Sequence, residues 1–338
     1  MMETIEILKT LCAGHGISGF EHELHDTICT LLPWCSITQK STGTVIATFG
    51  DDEAEKKIML DAHLDRIGMI VTYIDDSGFL KCANVGGLDL RALPSSTVTV
   101  NGREPILGVI CTKPPHLASD AETDKDSIWV DTGLPENRVR ELVQQGDSVI
   151  IESRFAQLLG DRVSCAALDN RAGCAALIKC AELLRGKNLP CRVSLVFSSQ
   201  EETNESGAAA SAFSVAPNEA IVVDVGFAEQ DGVPKGKSGK LGNGVIISIA
   251  PTLSRKMTDT LITLAGEMNI STSFEVDGGA TGTNADKIAV TGSGIPCAVV
   301  SIPVKNMHTQ TETASIGDIN ACAALLARYI QEEGQSNG

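Results

Sequence analysis

Residues 167–200 read ALDNRAGCAALIKCAELLRGKNLPCRVSLVFSSQ. Apolar residues recur at three- and four-residue spacing from Ala167 onward, the mark of an amphipathic helix, and Gly186 and Pro190 close it. CRVSLVFSSQ then switches to a strand pattern. The alternation continues downstream with ESGAAASAFSV as helix, EAIVVDV as strand, GVIISIA as strand, LSRKMTDTLITLAGEMN as helix, PCAVVSIP as strand and DINACAALLARYIQEE as closing helix. Strands alternating with helices predict an α/β sandwich around a largely parallel central sheet.

Upstream the alternation stops. After the strand KKIMLDA and the loop HLDRIG come short β-type runs separated by turn signals: MIVTYIDDSG, STVTVNG, PILGVICTKPP, SIWVDTG and DSVIIES. This predicts a small all-β domain, residues 70–161, inserted into a main domain built from residues 1–69 and 162–338. The stretch MMETIEILKTLCAGHGISGFEHEL is charged and amphipathic and reads as a first helix.

Composition narrows the function. Of the 338 residues, 43% are hydrophobic and 21% charged, an ordinary globular mix, and the formal net charge is -16. Such acidity repels nucleic acid and anionic membranes, so neither is an expected partner. No apolar run approaches bilayer length. Eleven cysteines, without a CxxC pair, read as free thiols in a reducing compartment, hence a cytoplasmic protein.

The chemistry lies at strand ends. His63 and Asp65 follow KKIMLDA, Glu201 and Glu202 follow RVSLVFSSQ, Asp224 closes EAIVVDV, His308 comes just after CAVVSIP, and Asp169 starts a helix. Loops beyond the carboxyl ends of strands form the ligand crevice of open α/β sheets. Singly each residue has a bland reading: an HxD loop, a helix N-cap at Asp169, a solvated pair of glutamates. Jointly they put two imidazoles and several carboxylates on one edge. That donor set suits zinc, cobalt or manganese, whereas calcium would take oxygen alone. One carboxylate can bridge two ions. Asp65, two residues past His63, can accept its second ring N–H. Of two adjacent glutamates, one can bind metal while the other deprotonates water. His15, His22, His25 and His116 lack such placement.

Taken in order, DAHLDRIGM, ALDNRAGCAA, SSQEETNESGA, VVDV and SIPVKNMHTQTE resemble metallopeptidase family 42, the family of tetrahedral and glutamyl aminopeptidases and of proteins labelled cellulase M. SGFEHEL, KPPHL and GTNAD extend the resemblance over nearly the whole chain. It implies a phosphorylase/hydrolase-like α/β/α fold with an inserted β domain used in subunit contacts. It also implies two divalent ions per subunit, zinc or cobalt with manganese as a further option. His63 and Asp224 would bind one, Glu202 and His308 the other, and Asp169 would bridge them across a cis Asp169–Asn170 bond. Glu201 would be the general base and Asp65 the residue orienting His63. The implied reaction is removal of the N-terminal residue of short peptides by a metal-bridged water, in a homo-oligomer, often a dodecamer built from dimers. Arg66 and Gln310 depart from the family pattern, and both fall near the site.

Two rival functions remain. A glycoside hydrolase would need carboxyls on opposite sides of a sugar and aromatic platforms, against an aromatic content of 4%. A non-catalytic, self-assembling metal-binding scaffold would have lost a ligand or the base, and here all are present. Release of amino acid rather than sugar separates the first rival; metal content paired with activity separates the second.

Overall fold

The computed structural model describes residues 1–112, 116 and 128–335. Residues 113–115 and 117 of the KPPHL stretch lie outside these; His116 lies within them and is exposed.

An eight-stranded sheet organises the molecule. At its centre lie the parallel strands Arg192–Ser198, Lys57–His63, Glu219–Phe227 and Cys297–Val304. The strand EAIVVDVGF is buried at every residue but the last, as expected of a β-branched run covered on both faces. Alternate side chains feed two separate apolar clusters. Ile221, Val223, Ala298 and Val300 join the larger one, with the helices Thr4–Cys12, Leu168–Leu184, Arg255–Glu267 and Ile316–Gln335. Ala220, Val222, Cys297 and Val299 join the smaller one, which includes Ala208 and Ala212 of Ser206–Val215 and Ile288 of Ala285–Ile288.

The sheet is mixed rather than largely parallel. Four strand pairings are parallel, and three, all outside the central run, are antiparallel. Apolar patterning reports burial and not direction, so it could not tell these cases apart.

Between Gly68 and Ile151 six strands close into a barrel. Its first and last strands pair, Met69 opposite Val149, so the chain enters and leaves side by side. The barrel has its own core, including Met69, Leu80, Val98, Val100, Val130 and Val149. The segment is not wholly β: Glu136–Leu142 is a helix, with Arg140 bound to Glu136 at 2.8 Å. Only Val139 of that helix is buried, too little apolar periodicity to read from sequence. The short strands Ala156–Gln157 and Arg162–Cys165 belong to a separate sheet with Glu312–Ser315.

Among the described residues no helix is long and apolar enough to cross a membrane.

Candidate metal centre

The parallel strands point their carboxyl ends at one place. His63 ends its strand, directly opposite Ser198 in register, so the turn that follows Ser198 delivers Glu201 and Glu202 beside it. Asp224 lies one strand over, paired with Ser301. Asp169 and His308 arrive from loops. Backbone in the left-handed region marks these deliveries: Ala167 (φ 67°), Gln200 (φ 60°) and His308 itself (φ 63°). Such residues cost about 1–3 kcal/mol each and persist where surroundings enforce them. The Asp169–Asn170 peptide is cis.

All seven residues singled out in the sequence come together. Asp169 sits in the middle and uses both oxygens: Oδ1 is 3.1 Å from His63 Nε2 and Oδ2 is 3.2 Å from His308 Nε2. Asp224 Oδ1 lies 3.6 Å from His63 Nε2, and Glu202 Oε1 lies 3.5 Å from His308 Nε2. Glu201 Oε2 is 3.8 Å from His63 Nε2. Two three-residue sets with mutually close donor atoms therefore share Asp169: His63, Asp169 and Asp224, and Asp169, Glu202 and His308. A further set joins His63 to both glutamates. Three protein donors with room for a fourth group is the pattern of catalytic rather than structural zinc. Both imidazoles have Nδ1 engaged elsewhere, leaving Nε2 for a cation. His308 Nδ1 is 2.8 Å from the Gly87 carbonyl, and His63 Nδ1 is 3.1 Å from the Asp65 carbonyl.

Without cations the cluster holds protons instead. Burial would lower the pKa of His63, but Glu201, Asp169, Asp224 and Asp65 outweigh it and hold the imidazole well above its usual range. His308 is likewise pushed up to about 10: burial opposes this, and Asp169, Glu202 and the Gly87 carbonyl outweigh it. Burial raises Glu201 to about 9, reinforced by Asp224 and Glu202 against His63. Burial and Asp169 raise Glu202 to about 8. Asp169 goes the other way: its two imidazole partners overcome burial and hold it ionised. A set of carboxyls this close, proton-loaded and buried, is what divalent charge would relieve.

Asp65 does more than face His63. Its carboxylate stands 3.6 Å from the ring, behind the tighter carbonyl contact. The carboxylate accepts the backbone N–H groups of Glu201 (3.1 Å) and Glu202 (3.2 Å), and the hydroxyl of Ser18 as well. It thus fixes the turn carrying both glutamates. Three supporting residues escaped sequence reasoning. Glu312, 1% exposed, accepts from the N–H of Asp169 (3.0 Å) and of His308 (2.8 Å). Arg171, fully buried, donates to the Leu64 carbonyl at 2.8 Å and the Leu11 carbonyl at 2.5 Å, pinning the loop after His63. Gly87 approaches so closely that a Cβ there would lie 2.9 Å from His308 Nδ1.

The cluster floors a cleft of about 420 Å³. Thr281, Gly282 and Thr283 form part of its wall. That glycine-rich segment is fastened: Asp286 accepts from the N–H groups of Thr281 and Gly282, and Asn284 donates to Asp61 at 2.7 Å. Neither family departure lines the cleft. Arg66 is buried, with Arg171 and Glu312 as charged neighbours. Gln310 bonds the Ala92 carbonyl and the Ser96 hydroxyl, stitching the His308 loop to the barrel side.

The family model for the M42 glutamyl aminopeptidases matches residues 43–325. The chain is similar to the lysyl aminopeptidase of Pyrococcus furiosus, with 30% identity over 97% of this chain and 96% of that one. Among solved structures, an aminopeptidase from the archaeon Desulfurococcus kamchatkensis superposes with a TM-score of 0.91 at 29% identity, covering 97% of this chain and 94% of that one. The TET1 peptidase of Pyrococcus horikoshii, which can assemble into a tetrahedron or a large octahedral shell, superposes at 0.84 with 28% identity, covering 97% and 99%.

Proposed function

The chain belongs to the M42 glutamyl aminopeptidase family and is a peptide hydrolase, and from that premise we propose that it removes the N-terminal residue of short peptides at a centre of two divalent cations. The observation carrying this reading is Asp169, whose two oxygens face two separate three-residue donor sets. His63 and Asp224 would hold one cation and Glu202 and His308 the other, with Asp169 common to both. Zinc or cobalt suits this mix of imidazole and carboxylate, and manganese would be accepted. When bound, two such ions lower the pKa of an attacking water and polarise the scissile carbonyl.

The protein's own groups do the rest. Glu201, 3.8 Å from His63 and outside both sets that share Asp169, takes the proton from the water and returns it to the leaving amine. Asp65 keeps Glu201 and Glu202 in register through their backbone N–H groups. The Thr281–Thr283 wall brings backbone close to the peptide. We assign the segment 70–161 to subunit contacts in a homo-oligomer. A cytoplasmic location is supported by eleven cysteines that are all free thiols.

Paired substitutions test the division of labour. Glu201→Gln should retain both cations while kcat falls about 100- to 10,000-fold, the usual cost of losing a general base. Glu202→Gln should lose cation occupancy. Elemental analysis and turnover of aminoacyl-nitroanilides read the two effects. Full occupancy with near-normal turnover in Glu201→Gln would sink the mechanism, and the reverse pattern would exchange the two roles.

A further inference from the structure

Building on the aminopeptidase reading, we infer that Glu275 makes the cleft selective for peptides whose N-terminal residue is basic, lysine or arginine. The sheet register puts this carboxylate in place. Asp224 pairs with Ser301, Ser301 with Ile246, and Ser248, two residues beyond Ile246, with Glu275. Cross-strand partners, and residues two apart on one strand, project from the same face. Asp224, Ser301, Ser248 and Glu275 therefore share one face, and all four line the cleft. Three strand spacings, about 14 Å between backbones, separate the candidate ligand from Glu275. A long basic side chain extended along this face from the candidate metal centre runs toward Glu275.

Charge decides what belongs there. Among the described residues no lysine or arginine lines the cleft. Two divalent cations would be matched by the carboxylates of Asp169, Glu201, Glu202 and Asp224, which leaves Glu275 as the further carboxylate on the wall. The ammonium of Lys237 is near enough to be felt by Glu275, but it is bound to Asp277 at 2.8 Å. Among the described residues Glu275 has no hydrogen-bonding or ionic partner on its side chain. A half-buried carboxylate without a partner is an acceptor awaiting a cation. Phe227, 44% exposed, and Met307 line the same cleft and offer apolar surface for the methylene stem of a basic side chain. An acidic N-terminal residue would meet repulsion at the same wall.

The test is a ratio. With the cation-loaded enzyme, kcat/KM should be at least tenfold higher for lysyl- and arginyl-nitroanilide than for the uncharged norleucyl analogue. Glu275→Gln should cut the lysyl-to-norleucyl ratio by about 10- to 100-fold, Glu275→Asp should restore part of it, and Glu275→Lys should move preference toward glutamyl substrate. A wild-type ratio near one, or equal losses on both substrates in Glu275→Gln, overturns the assignment. Calorimetry of free lysine against free norleucine, on the same loaded protein, reads Glu275 independently of turnover. Equal affinities overturn the assignment, and tighter lysine binding that vanishes in Glu275→Gln supports it. Failure to cleave any anilide would count against the aminopeptidase reading, while the calorimetric ratio would still decide about Glu275.

Discussion

At the scale of single residues, the most consequential side chain outside the cation sets is Glu312. Its two oxygens each hold the backbone N–H of a candidate ligand, Asp169 and His308, so one buried carboxylate sets the position of both. Glu312→Gln keeps the shape but turns one acceptor into a donor facing an N–H. It should fold and bind cations about 10- to 100-fold more weakly, the cost of disturbing a group that orients a ligand. Equilibrium dialysis with elemental analysis measures this, and wild-type affinity would refute it. Protons give a second prediction at this scale. His308 is pushed up to about 10 and Glu202 to about 8 in the cation-free cluster, so both hold protons at neutral pH. Loading requires a neutral imidazole and an ionised carboxylate. Cation binding should therefore release protons, and affinity should rise as pH climbs from neutrality toward 10. Calorimetry in buffers of different ionisation enthalpy reads the proton count; a pH-independent affinity would contradict the assignment. His63, Glu202 and His308 were legible in sequence because each closes or follows a strand; Asp224 lies inside Glu219–Phe227 near its end, and Asp169 was read at a helix start. Glu312 was not. Its one signal is the alternation in ETAS, which puts Glu312 and Ala314 on the same inward face, and a charged residue there reads by default as solvated.

At the scale of elements, the buried strands at the centre of the sheet were readable, but the strands Ser36–Gln39, Val45–Gly50 and Thr272–Val276 and the direction of pairing were not, so a largely parallel sheet was expected where a mixed one is found. Five of the barrel's six strands were visible as runs between turn signals, and Leu80–Val85 was not. Its reach into the site was invisible, because that depends on where the turn after Leu80–Val85 ends up. There the Gly87 carbonyl takes the Nδ1 proton of His308, tying the barrel to the candidate metal centre. This contact is too tight for a side chain. In Gly87→Ala the new Cβ, 2.9 Å from His308 Nδ1, must push the imidazole aside. A displacement on the order of 1 Å at a reacting centre costs about 100-fold in rate. Turnover should fall by that order while the far-UV circular dichroism and melting temperature stay near wild type. An Ala variant with unimpaired turnover would mean that the barrel merely adjoins the site.

At the scale of the whole molecule, the surface is unevenly finished. Large apolar side chains stand exposed in several places among the described residues, including Leu107 (68%) and Val109 (45%) on one barrel strand, Leu158 (45%) and Leu159 (98%) on the return from the barrel, and Phe213 (74%) and Val290 (75%) on the main domain. Single exposed apolar residues are ordinary, but repeated clusters on a chain with a net charge of -16 need partners. A closed tetrahedral shell, one of the two assemblies of the P. horikoshii relative, has twelve equivalent positions and needs two kinds of contact, one on two-fold and one on three-fold axes. Separate apolar patches meet that requirement better than one would. Light scattering or sedimentation should report a particle near twelve times the 35.5 kDa chain. Leu159→Lys and Leu107→Lys should each break a contact, because a desolvated ammonium facing an apolar partner has no counter-charge. If the two patches serve different axes, one variant should leave dimers and the other trimers, both folded and with the candidate metal centre intact. A wild-type monomer at all concentrations would refute the assembly. A stable wild-type dimer would keep the two-fold contact and remove the shell, and with it any limit on substrate size set by an enclosed chamber.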